Sequence, residues 1–87
     1  MKTVNGCVNN INGLTSHLSV ELVSEANKFS SEITINVSDE SADLKSIMNV
    51  MALVVPHGES FFITFSGKDE EIASKKFEEL LIELKLK

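Results

Sequence analysis

Stretches in which apolar residues return at every second position alternate along this chain with stretches in which they return at every third or fourth. Over residues 3–9, Val4, Gly6 and Val8 share one side of an extended segment and Asn5, Cys7 and Asn9 the other, which predicts a strand. Asn10, Ile11, Asn12 and Gly13 read as a turn, because Asn and Gly tolerate positive φ. Thr15 or Ser16 can cap the helix that follows, whose apolar stripe is Leu18, Leu22, Val23, Ala26 and Phe29. Ile33, Ile35 and Val37 alternate with Thr34 and Asn36 in a second strand; Ser38, Asp39, Glu40 and Ser41 form a hairpin loop, and 42–44 a short third strand.

Ser46 is placed to cap a short helix over 47–53, closed by Pro56, His57 and Gly58. Over 60–66, Phe61, Ile63 and Phe65 point one way and Phe62, Thr64 and Ser66 the other, the clearest strand in the chain. After a turn at Gly67 and Lys68, Asp69 is expected to cap a last helix with Glu70 and Glu71 near its positive end and a stripe of Ala73, Phe77, Leu80, Leu81 and Leu84. The predicted order is β-α-β-β-α-β-α. Half-buried strands and one-sided helices are satisfied together by an α+β fold, a four-stranded antiparallel sheet with three helices on one face, spanning 1–87 as one domain.

Composition narrows the function more than the fold. With 87 residues there is room for one small core, and a chain of this size hides only about 60% of its unfolded surface. Thirteen acidic against eight basic side chains leave a formal charge of −5, which repels phosphate backbones and anionic lipid, so neither nucleic acid nor a membrane surface is an expected partner. The longest apolar run, 50–55, is far too short to span a bilayer, and the first residues are not followed by the apolar stretch of a signal peptide, so the expected location is the cytoplasm. A single cysteine excludes an internal disulfide and a cysteine-based zinc cluster.

Candidates for chemistry are few: His17, His57, Cys7 and the hydroxyls near helix starts. No metal or catalytic-triad spacing is present, no cofactor is implied, and the expectation is a protein that is not an enzyme. His57 reads as a solvated turn residue, Cys7 as a buried, inert thiol, and Asp69, Glu70, Glu71, Glu78, Glu79 and Glu83 as a solvated helix face. The helix after Ser46 is apolar nearly all round: Ile47 and Val50, with Val54 beyond, can face the core, while Met48, Met51 and Ala52 cover the opposite side. Two flexible, polarizable methionines there form either a partner surface or part of the core. Ser46, beside Lys45, is either a plain helix cap or a hydroxyl at which a phosphate would gain from the helix dipole.

The segments Lys45-Ser46-Ile47-Met48-Asn49-Val50-Met51-Ala52-Leu53, Gly13-Leu14, Glu25-Ala26-Asn27-Lys28-Phe29-Ser30-Ser31-Glu32-Ile33, and Gly67 with Asp69-Glu70 together resemble the HPr family, the histidine-containing phosphocarriers of the bacterial sugar phosphotransferase system. The resemblance implies an open-faced β-sandwich and a role in sugar transport, where members pass phosphate from enzyme I to sugar permease subunits through one histidine. In the Gram-positive branch it further implies carbon catabolite regulation: HPr kinase/phosphorylase phosphorylates the serine matching Ser46, and the product binds a catabolite-control repressor. The family pattern Gly-Leu/Ile-His-Ala-Arg-Pro-Ala is replaced by Gly13-Leu14-Thr15-Ser16-His17-Leu18-Ser19, so Thr15 stands at the phosphohistidine position, His17 at that of the arginine and Leu18 at that of the proline. A threonine ester does not pass its phosphoryl group onward as a phosphohistidine does. Asn49 and Val54 stand where the family usually has glycine.

The resemblance therefore points to a regulatory module comparable to Crh, the HPr-like regulator of bacilli. It would be phosphorylated at Ser46, bind partners through Val20, Ile47, Met48 and Met51, and act as a monomer or weak homodimer. The alternatives are a phosphocarrier that uses His17 as a displaced acceptor for enzyme I-like proteins, or an interaction scaffold without phosphorylation.

Overall fold

A computed structural model describes residues 1–9 and 11–87. Its elements follow the expected order: β1 Lys2–Cys7, α1 Ser16–Ala26, β2 Glu32–Val37, β3 Glu40–Asp43, α2 Ile47–Ala52, β4 Ser60–Ser66 and α3 Glu70–Glu83. The four strands form one antiparallel sheet in the order β1-β4-β2-β3, so the last strand made enters the middle.

Register explains the two faces. Val4, Ile63, Ile35 and Ala42 lie in one row across all four strands and all are buried. The adjacent row, Asn5, Phe62, Asn36 and Ser41, points the other way and stays at least partly exposed. Because successive strand residues face opposite sides, one row of branched and aromatic carbons is enough to tell the helices which side to cover. Helix α3 packs on β1 and β4, α2 on β3, and α1 against α2. Their stripes meet the sheet in a core that includes Leu18, Leu22, Val50, Phe77 and Leu81. Phe65 and Phe77 meet edge to face with ring centroids 5.4 Å apart, an arrangement that adds about 0.5–1.5 kcal/mol beyond area burial.

Gly6 belongs to the inner row, and a Cβ there would strike the Phe61 ring and lie 2.7 Å from the Leu86 carbonyl oxygen. That close approach lets the Cys7 N–H donate to Leu86 O at 2.7 Å, so the C-terminal turn covers the open edge of β1.

The differences from expectation have local causes. Strand β1 ends at Cys7 rather than at residue 9, although Val8 is still buried and its N–H donates to Glu59 O at 2.9 Å. The hairpin between β2 and β3 is tighter than a four-residue loop: Ser38 turns the chain at φ 56°, and Glu40 and Ser41 already belong to β3. Of the turn expected at 10–13, Asn10 lies outside the described residues; Ile11 and Asn12 form a turn and Gly13 has φ 76°.

Val54 does not face the core; it is 83% exposed. The helix α2 stops at Ala52, and Leu53 is extended at ψ 112°, so the period changes from 3.6 to 2 and Leu53 and Val55 become the buried pair. Cys7, read as a buried thiol, sits on the outward row of β1 and is only half-buried.

Asp69 precedes α3 without capping it. Its carboxylate instead accepts from the Ser30 N–H and the Ser31 N–H, each at 2.9 Å, and from the Ser31 hydroxyl. These bonds, the Ser31 hydroxyl first and the Ser30 N–H second, hold the carboxyl at about 2, below its usual 3.8. Glu70 also leaves the helix surface: it accepts from the Gly67 N–H at 3.0 Å and pairs with the N-terminal ammonium at 2.9 Å, and both lower its pKa, the Gly67 bond more. Glu71, Glu78, Glu79 and Glu83 do lie on an exposed face.

Candidate functional site

Two helix starts carry the candidate residues. At the first, Leu14 donates its N–H to Val55 O at 2.9 Å, which brings the segment before α1 against the segment after α2. A Cβ on Gly13 would lie 2.7 Å from that same carbonyl oxygen, and φ is positive, so glycine is required there on both counts. Of the two possible caps, Thr15 is the one used: it is extended (φ −77°, ψ 166°) and its hydroxyl accepts from the Leu18 N–H at 3.3 Å. Thr15 is half-buried, and His17 is exposed in the first turn. Two residues on, a helical side chain points about 200° around the axis, so His17 does not replace Thr15 in space.

At the second helix start, Ser46 is built into place from below. Leu44 is fully buried and its N–H donates to Ile33 O at 2.9 Å, which ends β3 against the sheet. The chain then turns: Asp43 accepts the Lys45 N–H on its carboxylate at 3.0 Å and the Ser46 N–H on its carbonyl at 3.0 Å. Asn27, after α1, donates its side-chain amide to Lys45 O at 3.1 Å and to Val23 O at 2.9 Å, and the Lys45 ammonium donates to Phe29 O at 2.6 Å. The C-terminal end of α1 therefore fixes the segment that presents Ser46.

Ser46 is extended (φ −113°, ψ 112°) and half-buried, and its Oγ accepts from the Asn49 N–H at 3.4 Å and from Asn49 Nδ2 at 2.9 Å. The second bond was not foreseen; an Asn three residues after a hydroxyl cap was its only signal. The Lys45 charge, next to Ser46 in sequence, is directed to the end of α1.

Beyond Ser46, α2 buries Val50 and half-buries Ile47, while Met48 is 80% and Met51 55% exposed. Val20 on the neighbouring α1 is 50% exposed, and Val54 extends the apolar surface past the end of α2. A shallow cleft of about 410 Å³ runs beside this helix, lined by Met48, Asn49, Ala52 and Leu53 with Glu40 and Ser41 of β3. The two helix starts thus differ in their first turns, which expose Ser16 and His17 at the first and Met48 at the second.

A family model described as the phosphotransferase-system HPr component phosphorylation site matches residues 3–83. The chain belongs to the HPr family. Proteins of this family are phosphocarriers of the phosphotransferase system rather than enzymes. A phosphocarrier protein HPr of Mycoplasma capricolum is 38% identical over 74 residues, covering 85% of this chain and 83% of its own length. The structure of a mycoplasma histidine-containing phosphocarrier superposes with a TM-score of 0.92 at 33% identity, covering 98% of this chain and 97% of that one. Crh of Bacillus subtilis, a catabolite-repression protein solved as a swapped, intertwined dimer, superposes with a TM-score of 0.73 at 30% identity, covering 87% of each chain. The HPr fold is therefore shared by this chain over nearly its whole length.

His57 is exposed in the turn before β4, as expected. Among the described residues no group of three or more His, Cys, Asp or Glu side chains could hold a metal ion, and no helix is long and apolar enough to cross a membrane.

Proposed function

We propose that this HPr-family protein is a cytoplasmic regulatory module that is phosphorylated on Ser46 by HPr kinase/phosphorylase and then binds a catabolite-control repressor. Val20, Met48 and Met51, with the accessible part of Ile47, form the recognition surface. Exposed methionines around the Ser46 helix carry this reading. A partner that meets Ser46 also meets Met48 and Met51, whose side chains adapt to an opposing surface at little conformational cost. The first turn after Thr15 exposes Ser16 and His17 instead, and the Thr15 hydroxyl cannot form the high-energy phosphoramidate on which carrier chemistry depends.

The exposure of His17 in the first turn of α1 supports one second reading, a carrier with a displaced acceptor. Intact-mass spectrometry separates the two. Incubation with HPr kinase and ATP should add one phosphate, located by tryptic mapping at Ser46; incubation with enzyme I and phosphoenolpyruvate should add none. An acid-labile phosphate on His17 would replace the proposal with the second reading. No phosphate from either reaction would leave the scaffold without phosphorylation.

A further inference from the structure

The bond between Asn49 and Ser46 has a consequence for the modification itself. A serine hydroxyl has two acceptor lone pairs and one proton to donate. At Ser46 both acceptor directions are addressed by a single residue, the backbone N–H of Asn49 at 3.4 Å and its side-chain amide at 2.9 Å. The first is long for an N–H···O bond and the second is of ordinary length, so the side chain is the tighter hold. In phosphoryl transfer from ATP, an Oγ lone pair forms the new bond to the γ-phosphorus, the bond from that phosphorus to the bridging oxygen of ADP breaks, and the hydroxyl proton passes to a base of the kinase. An amide donating into Oγ draws electron density from the attacking atom and fixes the direction of its lone pair. With both lone pairs engaged, one of the two donors must leave before the oxygen can attack, and removing the side-chain amide frees one of them in advance.

We propose that Asn49 is a positioning residue that restrains Ser46 and slows its phosphorylation, making this chain a deliberately reluctant substrate compared with one that carries no donor at that position. The proposal rests on the reading of Ser46 as the phosphorylated residue. The backbone bond that caps α2 does not depend on the side chain at 49, and Asn49 is exposed, so it can be replaced without disturbing the core.

The test compares initial rates of HPr kinase with ATP on the native protein, Asn49→Ala and Asn49→Leu, with Ser46→Ala as the blank. Leucine keeps the bulk of asparagine and removes the donor, so it separates the hydrogen bond from crowding at the kinase surface. Both variants should show kcat about three- to tenfold higher with KM unchanged, the effect of releasing one hydrogen bond. In the uncomplexed protein, the Asn49 side-chain amide resonances should shift on Ser46→Ala in 15N–1H spectra, a readout independent of any kinase. A faster Asn49→Ala with an unchanged Asn49→Leu would assign the effect to bulk and overturn the proposal. Equal rates in all three, or amide resonances indifferent to Ser46→Ala, would overturn it while leaving Ser46 as the modified residue. No phosphate on Ser46 in any of the three would remove both.

Discussion

The starts of α1 and α2 are built alike. Each opens with a hydroxyl residue in extended conformation whose oxygen accepts from the N–H three residues on, Thr15 from Leu18 at 3.3 Å and Ser46 from Asn49 at 3.4 Å. They differ in what surrounds the cap. Thr15 leads into exposed Ser16 and His17, whereas Ser46 leads into exposed Met48 and Met51 and is held by a second bond from Asn49. Cap geometry satisfies a free backbone donor at any helix start and is too common to mark a modified residue. Under the proposed function, the neighbouring surface is what lets a second protein distinguish one cap from the other.

The sharpest way to break this comparison is to remove each hydroxyl in turn. Ser46→Ala should abolish phosphate gain from HPr kinase, and Thr15→Ala should leave it at the native level, read by intact mass. Phosphate retained in Ser46→Ala would show that the second helix start is not the modified one.

The next largest effect separates core from surface. Phe65→Ala should cost about 3–5 kcal/mol in urea denaturation, because a fully buried ring leaves a cavity. Met48→Ala and Met51→Ala should each cost well under about 1.5 kcal/mol and yet weaken kinase or repressor binding several-fold in a titration. A midpoint shift for either methionine as large as that of Phe65→Ala, with binding intact, would place it in the core and remove the recognition surface.

Smaller still is the cost of the caps. Thr15→Ala and Ser46→Ala should each lose about 1 kcal/mol of stability, and by similar amounts, although only one of them changes phosphorylation. Thermal or urea unfolding of the pair checks this, and a loss confined to one variant would show that the two caps are not equivalent.

The last prediction concerns the segment that links the two regions. Asp69 holds Ser30 and Ser31, just beyond the Phe29 carbonyl that receives Lys45. Its carboxyl is lowered from 3.8 to about 2 on folding, so its contribution to stability is complete above about pH 4 and is lost as pH falls toward 2. Asp69→Asn should flatten that part of the acid limb relative to the native protein, measured by denaturation midpoints across the window. Parallel acid limbs would mean that the carboxylate bonds to Ser30 and Ser31 contribute nothing to stability.

Periodicity made the element order, the inward row of each strand and the apolar stripe of each helix legible. Alternation at 2 and recurrence at 3.6 are geometric consequences of the local backbone. The caps, Ser46 and one of Thr15 and Ser16, and the side of α2 that carries Met48 and Met51 could be read in the same way, because each depends on residues only a few positions apart, whereas the HPr resemblance rests on segments spread from Gly13 to Glu70. Val54 was misplaced because the helical period was carried past Ala52, and where a short helix stops is set by which of Leu53, Val54 and Val55 the sheet can bury. Asp69 suits a helix cap by local rules, yet the fold brings Ser30 and Ser31 within reach and they take its carboxylate. Lys45 likewise stands beside Ser46 in sequence but spends its ammonium on Phe29 O. Local spacing determined which residues form helices, strands and caps. Only tertiary structure decided which partner each polar side chain took, because competing partners distant in sequence become neighbours only when the helices close over the sheet.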